Sequence, residues 1–155
     1  MTIEIERTAT SAVKLDDLPW VDNDDPEYGR SSFKLVRCSI PTNSYTVLIR
    51  WGAGIVLPKH RHSGSVHAYT FEGKWCYEEY DWVAEPGTYV FEPPGTTHTL
   101  KVLEDTTAMF AVEGGQANLG PNDEVLSYFD TPLALEYYRQ GLAAMGLGLP
   151  EAILH

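Results

Sequence analysis

The sequence predicts an all-β domain, a sandwich or barrel of antiparallel strands, on three observations. Between Phe33 and Gly114 the chain falls into short runs rich in β-branched and aromatic residues, punctuated by Gly and Pro. Nothing between those runs is long enough for a crossover helix, which argues against βαβ units. The 155 residues, 43% of them hydrophobic, suit one domain that buries its own core without staples.

Residues 1–30 read as an extended arm, in which Leu18-Pro19-Trp20-Val21 precedes the acidic stretch Asp22-Asn23-Asp24-Asp25-Pro26. That stretch lacks the alternating ligands and closing glutamate of a calcium loop and reads as a solvated turn. The barrel is expected over 33–114, with strands at Phe33–Ile40, Tyr45–Trp51, Val66–Glu72, Trp75–Trp82, Thr88–Glu92, Thr97–Leu103 and Thr107–Val112. One helix is expected over 131–146: Thr131 as N-cap, Pro132 at the favoured first position, apolar residues at helical spacing through Leu133–Met145, then Gly146 and Gly148 as the stop. Residues 1–155 thus form a single domain without internal repeats.

Composition narrows the function. Eleven Lys and Arg against 22 Asp and Glu leave a net charge of -11, and no basic run offsets it, so a nucleic-acid partner is not expected. No apolar stretch reaches the roughly 18 residues of a membrane span. The start, Met1-Thr-Ile-Glu-Ile-Glu, has neither the basic nor the apolar part of a secretion signal, so a cytoplasmic location is expected. Cys38 and Cys76 lack CxxC spacing and read as reduced fillers. The arm's scarce structure and the exposed edge strands predict a homodimer or homotetramer.

Four of the five histidines fall between His60 and His98. His60 and His62 are one residue apart, which on a strand puts both imidazoles on one face. His98 follows the turn Pro93-Pro94-Gly95-Thr96-Thr97, which can bring a third imidazole from another strand. Such ligands suit iron, zinc, copper or nickel and are poor for calcium or magnesium.

Gly54-x5-His60-x-His62, closing at Gly73, resembles the first motif of the cupin superfamily. Gly87-x5-Pro93-x-Gly95-x2-His98 matches the second, except that Val102 stands where that motif ends in asparagine. The resemblance implies a small jelly-roll barrel, a double-stranded β-helix, with a metal on His60, His62 and His98. Most metal-binding cupins add a glutamate between the second histidine and the closing glycine. Counting back from Gly73 that slot is Val66, and counting on from His62 by the longer spacing it is His67; neither is a carboxylate. The register from the glycine is preferred, because a strand fixes facing while a loop tolerates length change. Val66 then faces the metal and His67 faces away, with Val66, His67 and Tyr69 as candidate pocket walls.

The three-histidine pattern resembles the acetylacetone dioxygenase and 2,4'-dihydroxyacetophenone dioxygenase group over about residues 20–115. That resemblance implies iron(II), molecular oxygen and cleavage of a C–C bond in a β-dicarbonyl or aryl hydroxyketone, with Glu92 behind the ligands as a catalytic helper. Arg50, on a nearby strand, is a candidate for steering an anionic substrate, against the simpler reading of a surface arginine. Two other expectations stand beside the dioxygenase: a zinc-binding cupin module with a sensing or ligand-binding role, and a metal-dependent isomerase or lyase, with zinc or nickel as alternative ions.

Overall fold

The computed structural model describes residues 10–26 and 29–155; the start of the expected arm lies outside them. Among the described residues, eleven strands form two antiparallel sheets facing each other. One sheet runs in the order β1 (Val21–Asp22), β2 (Ser31–Ser39), β3 (Ser44–Trp51), β9 (Thr106–Glu113), β5 (Val66–Glu72), β7 (Tyr89–Glu92). The other runs β11 (Val125–Phe129), β10 (Gln116–Leu119), β4 (Val56–His62), β8 (Thr97–Val102), β6 (Trp75–Tyr77). Consecutive strands often lie in opposite sheets, and the sandwich is a jelly roll.

Period-two burial builds the core between the sheets. In β9, Thr106, Ala108, Phe110 and Val112 point inward while their neighbours are part-exposed. Trp75, Tyr77, Leu35, Leu100 and Val66 fill the interior. Gly73, which closes the first motif, has φ of +80°, and a Cβ there would lie 2.1 Å from the Asp105 carbonyl oxygen. Only glycine permits that close turn between β5 and β6.

Three expected boundaries need correction. The strand expected over Trp75–Trp82 ends at Tyr77, because the chain turns there, with the Tyr80 N–H donating to the Tyr77 carbonyl. Strands β1, β4, β10 and β11 were absent from the expected set. β4 carries Pro58 and four charged or titrating residues in a row, and β11 is almost wholly exposed, so neither shows an apolar run. The helix α1 spans Thr131–Ala144, and its N-cap is Asp130, whose Oδ1 accepts the Leu133 N–H at 3.2 Å. Thr131 is instead the first helical residue, fully buried.

Helix α1 lays Ala134, Tyr138 and Leu142 on the barrel, and Tyr138 donates to the Pro19 carbonyl at 2.8 Å. The described part of the arm is held by its own chain: Leu18 and Val21 are buried, and β1 pairs with β2. Their apolar surface is therefore already covered, which removes the arm as an argument for a partner subunit. Cys38 and Cys76 are both free. Among the described residues no helix is long and apolar enough to cross a membrane.

Candidate metal centre

Strand β4 pairs with β8 as Leu57↔Leu100 and His60↔His98, so β4 carries one extra residue between those pairs. That bulge falls at Pro58-Lys59, where proline has no N–H for the ladder. Beyond it the alternation is clean: His60 and His62 are buried and Arg61 is exposed. His98 lies directly opposite His60, so its side chain shares the interior face. The turn before His98 is tied back to the same strand, because the Gly95 N–H donates to the His62 carbonyl at 2.8 Å.

The three rings converge. Their centroids are 5.2 Å (His60–His62), 4.7 Å (His60–His98) and 6.0 Å (His62–His98) apart. One nitrogen from each lies within 4.8 Å of the others, and all three residues are buried. His60 Nδ1 lies 2.8 Å from the Pro58 carbonyl oxygen, which can only accept, so Nδ1 carries the proton and Nε2 keeps its lone pair. Burial pushes His60 below the usual histidine range and takes His62 down to about 4. Both are neutral at physiological pH, the form that ligates a metal.

His62 Nδ1 is buried without a hydrogen-bond partner, and His98 Nε2 and Glu92 Oε1 are buried with no close polar contact but each other. Orphaned polar atoms of this kind are costly unless something outside the chain engages them. A transition-metal ion fits that donor set, and three neutral imidazoles are poor ligands for calcium or magnesium.

Glu92 lies on β7 opposite Val66, buried at 3% exposure. The fully buried Val66 and the Glu92 carboxylate therefore sit side by side on the interior face. Glu92 Oε2 accepts the Tyr77 hydroxyl at 2.9 Å. Its Oε1 lies 2.7 Å from His98 Nε2. Burial pushes the carboxyl upward, but the contacts with His98, His62 and Tyr77 outweigh it and hold Glu92 below the usual glutamate range. Tyr77 also stacks on His98, with ring centroids 3.7 Å apart and planes 12° from parallel. One hidden tyrosine thus fixes both the carboxylate and the third imidazole. Nothing in the sequence alone marked it.

Other expected residues lie elsewhere. His67 and Tyr69 alternate with Val66 and Ala68 along β5 and point outward, so neither walls the interior. His67 Nδ1 meets the Tyr89 hydroxyl on the outer face. Arg50 is exposed and stacks 3.8 Å over the Trp20 ring, which places it with the arm on the surface. Gln116 and Asn118, just past the expected barrel, stand opposite His62 and His60 on β10. Their alternation, Gln116-x-Asn118, was the overlooked hint.

The model of the ChrR cupin-like domain family matches residues 8–118. No curated protein matches the sequence. Among solved structures, an RmlC-like cupin protein from Ralstonia eutropha is 26% identical with a TM-score of 0.84, over 93% of this chain and 94% of that one. An acetylacetone dioxygenase from Acinetobacter johnsonii is 20% identical with a TM-score of 0.79, over 88% and 95%. The anti-sigma protein ChrR of Rhodobacter sphaeroides, in complex with SigE, is 17% identical with a TM-score of 0.50, over 64% and 52%.

Proposed function

From a chain that belongs to the ChrR cupin-like domain family, we propose a non-haem iron(II) dioxygenase that cleaves a C–C bond in a β-dicarbonyl or aryl hydroxyketone. One observation carries the reading: three buried imidazoles converge while the slot for a further carboxylate ligand holds Val66. A divalent ion on such a set keeps its full charge, and favours a bidentate, anionic oxygen ligand such as an enolate. Iron(II), when bound, supplies the redox chemistry with oxygen; the four electrons come from the substrate, and both oxygen atoms end in the two carbonyl-bearing fragments.

The protein's own residues prepare the site. His60, fixed by Pro58, and His98, fixed between Tyr77 and Glu92, hold their nitrogens in place before any ligand arrives. Glu92, kept ionised, orients His98 and balances charge behind it. Val66 and the apolar interior exclude water.

The family match and the likeness to ChrR favour a second reading, a zinc-holding module without turnover. The two separate on one experiment. Iron-loaded protein should consume oxygen with a 1,3-diketone or aryl hydroxyketone, with no reductant or 2-oxoglutarate, and His98→Ala should abolish it. Zinc retention with no oxygen uptake across a ketone panel after iron replacement rejects the dioxygenase, and substrate conversion without oxygen points to an isomerase or lyase.

A further inference from the structure

The triad borders a second feature that the ligand set leaves unused. A cavity of about 540 Å³ lies between β2 and β3 of one sheet and β4 and β10 of the other, closed at one end by α1. Its walls are mainly apolar and aromatic: Phe33, Tyr45, Val47, Leu57, Phe129 and Tyr137. Polar side chains interrupt them, among them the amides of Gln116 and Asn118 on β10. In register these stand directly across from His62 and His60, and directly paired residues share a face. The amides therefore form the partition between the triad and the cavity.

They are also pre-set. Gln116 Nε2 donates to Asn118 Oδ1 at 2.8 Å, and Asn118 Nδ2 donates to Ser127 Oγ at 2.9 Å. That chain leaves Gln116 as its open end, with its carbonyl oxygen and a second N–H uncommitted. A polar group held by its neighbours and left with spare capacity beside an apolar cavity is how binding sites fix orientation.

We propose that the cavity receives an aryl-sized apolar arm of the substrate and that Gln116, braced by Asn118, reads the oxygenated head beside the histidines. The proposal rests on the dioxygenase reading and narrows its substrate class. Cavities that hold drug-sized ligands run from about 300 Å³, so a diketone ending in methyl groups would leave most of this one empty. An aryl diketone or aryl hydroxyketone fills it and keeps its two oxygens at the amide end. Gln116 and Asn118 are then specificity-determining residues.

The test is calorimetric titration of zinc-loaded full-length protein, which binds without turnover, with pentane-2,4-dione and 1-phenylbutane-1,3-dione. Wild type should bind the phenyl compound at least about tenfold more tightly. Leu57→Trp, which fills the cavity, should erase that preference. Gln116→Leu should weaken both diketones by about fivefold or more with unchanged zinc content, because the head is common to them. Equal affinities in wild type, or Gln116→Leu binding both as wild type does, overturns the proposal even if Leu57→Trp fails to fold. Oxygen uptake by the iron form separates the two claims. Uptake without aryl preference sinks this inference alone, whereas aryl preference without uptake sinks the dioxygenase and leaves the cavity's role standing.

Discussion

Replacing Tyr77 by Phe isolates the contact that holds Glu92. The substitution keeps the ring stacked on His98 and removes only the hydroxyl that donates to Glu92 Oε2 at 2.9 Å. Both residues are nearly inaccessible, at 2% and 3% exposure, so water does not replace the lost donor. A buried hydrogen bond to a charged group contributes roughly 1.5–3 kcal/mol, so metal-free Tyr77→Phe should lose about 2 kcal/mol. For a chain of this length that corresponds to a fall in Tm of roughly 4–8 °C. Thermal and urea unfolding followed by circular dichroism measure it. In a Glu92→Gln background the acceptor is uncharged, so the same change should cost only about 1 kcal/mol, leaving a coupling of about 1 kcal/mol. Wild-type stability in Tyr77→Phe, or equal losses in both backgrounds, would refute the idea that an ionised Glu92 depends on this hydroxyl.

Val66→Glu should add a carboxylate beside the histidines; metal retention during dialysis against a chelator should hold or rise while affinity for an anionic diketone falls, and loss of metal would show that Val66 does not face the site. Gly73→Ala should lower stability by more than about 2 kcal/mol in urea titration, because the new Cβ meets the Asp105 carbonyl at a positive φ. Burial raises Tyr138 to about 12, above the ordinary tyrosine value near 10, so the proton it retains stabilises the fold fully below pH about 10. Stability should decline as pH climbs from about 10 through 12, and Tyr138→Phe should flatten that part of the profile in pH-dependent unfolding.

The histidine set was legible because its information is local: a one-residue spacing on a strand, and a Pro-Gly turn whose Gly95 stands three residues before His98 on β8. The facing of His67 was equally legible from strand period alone. The outer strands were not. β10 and β11 are short and part-exposed, and pairing with β4 across a long sequence gap, rather than an apolar run, holds β10 in place. Gln116 and Asn118 were hidden with them, since an amide's meaning there depends on which histidine it faces. Tyr77 shows the same limit: its ring is one aromatic among many until the fold lays it on His98. Tyr69 faces outward, and Arg50 is the surface arginine of the simpler reading, because residues close in sequence or on neighbouring strands can face opposite sides of a sheet.

The most direct test of the central claim is to supply iron-loaded protein and an aryl 1,3-diketone with isotopically labelled oxygen gas and weigh the products. The account predicts one oxygen molecule consumed per diketone cleaved, with one labelled atom in each fragment and no added reductant. Cleavage with unlabelled products, or no oxygen consumed while iron remains bound to His60, His62 and His98, would contradict it.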